Sequence, residues 1–252
     1  MVGRVRVLTL NVADPPADRA KSLLEWLWHQ PDEVLVLTEV GSRRGSSLIA
    51  QVCRAAGYDV VASGADALGV LVVGREVALE PLEADLGELA GRVSVVSVDG
   101  VTLIGVYGAA SDPVRYSSKA QRQRKREWLA SYDRWLADWL PGAGPTLMVG
   151  DLNIVDPQHD SRLPYVLPEE AALYDALVRR HGLTDAYRLH HPDGDAITWV
   201  DHSGAGCRYD HAFVTAEPAG AVRGCDLLHA PREAGFTDHS ALRVQLDGSL
   251  AG

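Results

Sequence analysis

Four carboxylates, two carboxamides, one phenol and one imidazole stand at or near the ends of apolar runs: Glu39, Asp151, Asp210, Asp238, Asn11, Asn153, Tyr107 and His239. Asp151 and Asn153 are the sharpest case, two residues apart in TLMVGDLNIV (146–155). Taken singly, a polar residue at a strand end is a cap or turn residue, and Gly-Asp-Leu-Asn also fits an Asx-turn. The set asks for more. Converging strand ends would gather more negative charge than a site holds without a cation. Oxygen donors select Mg2+, with Mn2+ as its substitute, over zinc. His190, His191 and His202 lack zinc-ligand spacing.

The elements that must deliver these groups are legible as short β-branched runs. They are VRVLTLNV (5–12), EVLVLTEV (33–40), GVLVVG (69–74), VSVVSV (93–98), VTLIGVY (101–107) and TLMVG (146–150), then YDHAFVT (209–215) and ALRVQL (241–246). VDG at 98–100 reads as a tight hairpin turn. Helical spacing falls between them. Residues 17–29 carry Ala20, Leu23, Leu24, Leu27 and Trp28 on one side, and residues 119–140 place Trp128, Leu129, Tyr132, Trp135, Leu136 and Trp139 at a 3.6-residue period. Residues 168–181 open with Pro-Glu-Glu, suited to a helix N-terminus. Hairpins mixed with helices predict two sheets packed face to face with helices outside.

Composition bounds the class. With 46% hydrophobic and 23% charged residues the chain reads as a globular protein able to bury its own core. No linker or repeat divides it, so one domain over residues 1–252 is the expectation. Cys53, Cys207 and Cys225 are dispersed, without a disulfide or CxxC pattern. No run approaches a membrane span and no secretory leader is evident, which predicts a cytoplasmic protein with no membrane partner, read as a monomer. The net charge of −10 disfavours indiscriminate binding to a polyanion, though a metal or a local basic patch can reverse the field at a site.

In chain order, Asn11, Glu39 in LTEV, Tyr107 in VYGA, VGDLNIV, RYDHAFV and TDHSAL resemble the endonuclease/exonuclease/phosphatase superfamily. The stretch LPEEAALYDALVRRHGLTDAYRLHHPDGDAITWVD (167–201), leading into GCRYD, is similar to its exonuclease III and abasic-site endonuclease branch. The resemblance runs from residue 5 to 246. It implies a four-layered α/β sandwich, two packed mixed sheets flanked by helices, and Mg2+-dependent phosphate ester hydrolysis. Through it, Glu39 is the principal metal ligand with Asn11 and Asp238 beside it. Asp151 activates water, Asn153 holds phosphate or water, Asp210 orients His239, and His239 and Tyr107 contact the phosphate. Trp199, Arg208 and Tyr209 are the expected substrate-binding residues.

The shell around that set departs from the pattern. Ala13 stands where related nucleases carry a polar residue, YGAAS replaces a proline and a polar residue, and TEVGS lacks the usual lysine. Cys207 and Tyr209 replace apolar residues that accept a flipped sugar. The match of residues 167–201 makes duplex DNA the first partner expected, cut from 3′ ends or at abasic sites, while the acidic charge and the altered pocket favour the alternative. RNA, a nucleotide or another small phosphate ester is the alternative, and a catalytically silent DNA- or protein-binding member is a third reading. The basic run RQRKR (122–126) is expected to be a solvated helix face, and Trp128, Trp135 and Trp139 core residues.

Overall fold

The computed structural model describes residues 4–64, 68–110, 119–158, 166–193 and 196–247, without the side chains of residues 217 and 218. The chain runs β1 (Arg4–Asn11), α1 (Ala17–Trp28), β2 (Val34–Val40), α2 (Arg44–Ala55), β3 (Asp59–Ala62), β4 (Gly69–Gly74) and β5 (Glu80–Pro81). It continues through β6 (Val93–Val98), β7 (Val101–Tyr107), α3 (Lys119–Trp139), β8 (Thr146–Asp151), α4 (Pro168–Arg179) and β9 (Thr184–Asp185). The last part holds α5 (Ala186–His190), β10 (Trp199–Val200), β11 (Gly206–Cys207) and β12 (Asp210–Val214). It closes with α6 (Ala216–Ala221), β13 (Val222–Leu228), α7 (Ala230–Glu233) and β14 (Ala241–Asp247).

Two six-stranded sheets form the centre, in the orders β13-β14-β1-β2-β4-β3 and β5-β6-β7-β8-β12-β9. Each contains one parallel pair, β1 with β2 and β7 with β8, connected by segments that contain α1 and α3 respectively. All other pairs are antiparallel. Both faces of the central strands are buried, and alternation sorts the side chains. Val7, Val34, Val36, Val70 and Val149 pack in the layer between the sheets. Leu8, Leu10, Leu35 and Leu37 face outward onto Leu23, Leu27 and Ile49 of α1 and α2. Ile104, Val106, Met148 and Phe213 pack on the other side against Trp128, Tyr132 and Leu136 of α3 and Leu173 and Leu177 of α4. Helices, sheet, sheet and helices make the four-layered α/β sandwich that the sequence predicts.

The β-branched runs form strands where expected. Asp99 and Gly100, with φ of 47° and 80°, make the predicted hairpin turn between the paired Val98 and Val101. Trp128 and Trp135 are core residues, and Trp139 packs partly buried beside them. The sequence reading omits α2, β3 and β13, together with the short elements β5, β9, β10, β11, α5, α6 and α7. Buried positions of α2 are Gly45, Ser46, Ile49 and Cys53, too few large apolar groups to show a period. A Cβ at Gly45 would lie 2.2 Å from the Pro15 carbonyl oxygen, so glycine is what lets α2 approach the loop before α1.

Candidate active site

The register of the second sheet aligns three of the polar groups. Tyr107 pairs with Asp151 across β7 and β8, and Asp151 pairs with Asp210 across β8 and β12. Cross-strand partners share a sheet face, so a phenol and two carboxylates form one row. Tyr107, Asp151, Asn11 and Glu39 all stand at or next to the C-terminal ends of the parallel strands. Glu39 sits at a register shift between Thr38 and Val40, with φ of 54°. That bulge turns its carboxylate out of the ladder, and a left-handed non-glycine residue at such a point stores strain.

Asp151 is held from three directions. Its Oδ2 accepts from Asn11 Nδ2 at 2.7 Å and from Asn153 Nδ2 at 3.1 Å, and its Oδ1 accepts from the Asn153 backbone N–H at 2.9 Å. The last bond is the Asx-turn suggested by Gly-Asp-Leu-Asn, so turn and site coincide. Asn153 is itself left-handed, with φ of 52°. Its Nδ2 also donates to the Gly108 carbonyl at 3.1 Å. A Cβ on Gly108 would lie 2.0 Å from the Leu152 carbonyl oxygen, so only glycine allows these two backbones to touch.

His239 lies 4.0 Å from Asp151 through Nε2 and 2.8 Å from Asp210 Oδ2 through Nδ1. Thr237 anchors the segment by donating to the Asn11 carbonyl at 2.7 Å, and Trp199 Nε1 donates to Asp238 Oδ2 at 3.0 Å. Asn11 Nδ2 also donates to Glu39 Oε2 at 3.0 Å, while its oxygen accepts from the Ala13 N–H. Asn11 thus bridges the two carboxylates with its nitrogen.

Burial opposes charge on His239, but Asp210, Asp151 and Asp238 outweigh it and raise the imidazole to about 10. Burial, followed by the Asp210 charge, raises Asp151 against the opposing pull of His239. Burial also raises Glu39, with Asp238 adding to it, and holds Tyr107 far above its ordinary value. The site therefore presents an imidazolium, a basic carboxylate and a protonated phenol to one cavity of about 660 Å³. Asn11, Glu39, Tyr107, Asp151, Asn153, Trp199, Tyr209, Asp238 and His239 all line it, while Asp210 stands behind His239.

The cavity-lining carboxylates that could hold a cation are Glu39 and Asp238. Among the described residues no group of three or more His, Cys, Asp or Glu converges to cage an ion. The raised Glu39 carboxyl fits a cation here, since a nearby positive charge would relieve what burial imposes.

Arg208 corrects the expectation. It is fully buried, with Nη2 at 2.8 Å from Asp156 Oδ2 and 2.5 Å from Asp185 Oδ2, and it does not reach the cavity. Its charge is needed inside to pair two carboxylates, which leaves none for substrate. The basic run also differs from a solvated face. Lys125 is buried against Glu170 at 2.7 Å, Arg126 pairs with Glu169, and Gln121, Arg124, Lys125 and Trp128 turn one face of α3 to the cavity. Arg92, which sequence reasoning missed, lies 4.7 Å over the Tyr107 ring. Cys207 is buried, and Tyr209 packs at 5.4 Å from Trp199 at the cavity wall. Of the YGAAS departure, Ser111 lies outside the described residues.

Two mixed sheets between helices, with carboxylates, amides and one imidazolium gathered at one cavity, fit a class of hydrolases acting on phosphate esters. The chain belongs to the Endonuclease/Exonuclease/phosphatase family, whose profile matches residues 8–239. Solved structures share its fold. The 3′-5′ exonuclease NExo from Neisseria meningitidis superposes with a TM-score of 0.80 at 24% identity, over 96% of this chain and 100% of that one. The 3′ phosphatase NExo from Neisseria, bound to a product DNA hairpin, gives 0.79 at 24% identity over 96% and 99%. An AP endonuclease from Archaeoglobus fulgidus gives 0.78 at 20% identity over 96% and 99%. No curated protein matches the chain by sequence. No helix among the described residues is long and apolar enough to cross a membrane.

Proposed function

We propose that this protein is an Mg2+-dependent phosphodiesterase acting on DNA, a nuclease of the exonuclease III type. The observation that carries the reading is the Asp151–His239–Asp210 relay: a basic carboxylate and a fixed imidazolium face each other across 4.0 Å at the cavity. Phosphoryl transfer needs a positioned nucleophile and compensation of charge on the phosphoryl oxygens. Asp151, raised by burial and held by Asn11 and Asn153, takes the proton of the attacking water as the water oxygen bonds to phosphorus and the ester P–O bond breaks, the departing oxygen taking a proton from solvent. His239 donates from Nε2 to a non-bridging oxygen, while Asp210 keeps its ring oriented and charged. Tyr107, kept protonated, donates from another side, and Asn153 positions phosphate or water beside Asp151. Glu39 and Asp238 would hold Mg2+ or Mn2+, with Asn11 orienting Glu39, and the ion supplies Lewis-acid stabilisation of the phosphate when bound.

Duplex DNA as partner is supported by residues 167–201 and by the DNA hairpin held by the Neisseria 3′ phosphatase. A second reading keeps the chemistry on RNA, a nucleotide or a small phosphate ester, favoured by the net charge of −10 and by Tyr209 at the cavity wall. The test is a panel of blunt duplex, abasic duplex, single-stranded RNA and free nucleotides, with Mn2+ binding followed in wild type and Glu39→Gln. Cutting of either duplex, with Mn2+ affinity lost in Glu39→Gln, supports the proposal. Turnover of RNA or nucleotides alone moves the substrate, and inertness toward all four with undiminished Mn2+ binding in the variant overturns both readings.

A further inference from the structure

Lys125 is fully buried on the cavity-facing side of α3, and the chemistry above does not use it. Its Nζ lies 2.7 Å from Glu170 Oε1 and donates at 2.7 Å to the backbone carbonyl of Asn153. Both side chains of the pair are 1% exposed. Glu170 is fixed in turn, because the same Oε1 accepts from the Leu167 N–H at the start of α4. The carbonyl that Lys125 grips belongs to a left-handed residue, and that residue supplies two of the three hydrogen bonds holding Asp151. A strained backbone persists only where its surroundings over-determine it. The next residues are gripped as well: His211 Nε2 bonds the Ile154 carbonyl at 2.9 Å, and Asp156 is paired with Arg208. His211 and Arg208 act beyond Asn153, whereas Lys125 acts on Asn153 itself.

We infer that Lys125 and Glu170 are a positioning pair for the reaction, fixing Asn153 and through it the carboxylate of Asp151. The inference rests on the phosphate ester hydrolase reading of the site. An ordinary buried ion pair tying α3 to α4 would behave differently when both charges are removed. Replacing a buried pair as a unit is often neutral for stability, while breaking one partner is costly. A staple would then recover completely in the double variant. A positioning pair recovers its stability, but the Asn153 carbonyl still lacks its donor.

The experiment compares wild type, Lys125→Met, and Lys125→Met with Glu170→Gln, the glutamine retaining the acceptor for Leu167. Thermal melting, amide hydrogen exchange and steady-state kinetics on whichever ester the wild type hydrolyses are read for each. The double variant is expected to melt near wild type, to lose about 100-fold in kcat with KM within about threefold, and to exchange the Asn153 amide at least about tenfold faster while Val149 in β8 is unchanged. A folded double variant with wild-type kcat, or with unaltered Asn153 exchange, overturns the inference. Exchange needs no substrate, so an inactive wild type would sink the parent reading while the exchange result still decided whether the pair holds the loop.

Discussion

Replacing Asp210 by asparagine removes one charge and keeps an oxygen able to accept from His239 Nδ1. In the native protein the imidazole rises from 6.5 to about 10, worth roughly 5 kcal/mol in favour of the charged ring. Burial works against that charge, so without Asp210 the imidazole falls back toward 6.5. At pH 8 a group near 6.5 is roughly 3% protonated, so activity that needs the imidazolium drops by as much as about 30-fold. Lowering the pH recovers part of it. The assays are a pH–rate profile of kcat/KM and an NMR titration of the His239 ring in both proteins. Stability moves with it: a raised histidine contributes fully below 6.5 and loses that contribution as the pH climbs toward 10, so the variant lacks this alkaline loss. An alkaline limb and a His239 titration unchanged by Asp210→Asn would refute the electrostatic role of the pair.

Three other outcomes follow from the same structure. Asp156 is held down at about 2, so its pairing contributes stability above about pH 4 that fades as the pH falls toward 2, and Asp156→Asn should make the decline of Tm across that window shallower than in the wild type; an unchanged slope contradicts the buried charge network. Arg208→Met leaves Asp156 and Asp185 with less compensation inside the protein and should cost about 3–5 kcal/mol in denaturant unfolding, whereas a substrate-contacting arginine would change KM with little loss of stability. Gly108→Ala puts a methyl 2.0 Å from the Leu152 carbonyl oxygen, so the folded variant should lose kcat with a displaced Asn153, checked by kinetics and the crystal structure of the variant.

Strands were the most legible part of the fold, because valine-rich runs such as VSVVSV and GVLVVG bury both faces and end at glycine or aspartate. The helix α2 was not, since its inner face is Gly45, Ser46, Ile49 and Cys53 and its closeness to Pro15 depends on tertiary contact. Within the site, Asn11, Glu39, Tyr107, Asp151, Asn153, Asp238 and His239 are marked by their position at or near the ends of apolar runs, and the folded chain brings them to one cavity. The burial of Arg208 is not legible in the sequence, because its partners, Asp156 and Asp185, lie 52 and 23 residues away. Lys125 is not legible as buried, because a basic run on a helix gives no sign that one turn points inward onto Glu170. The strain at Glu39 and Asn153 is likewise a tertiary property, set by a bulge and by a backbone pinned from below.

The most direct test of the account is hydrolysis of a blunt 3′-ended duplex and an abasic duplex by wild type and Asp151→Asn, with and without Mg2+. The account predicts cutting that requires the metal and falls by several orders of magnitude in the variant, which melts like the wild type. Undiminished cutting by a folded Asp151→Asn protein would contradict the role given to this carboxylate, and cutting by the wild type that ignores Mg2+ would contradict the role given to Glu39 and Asp238.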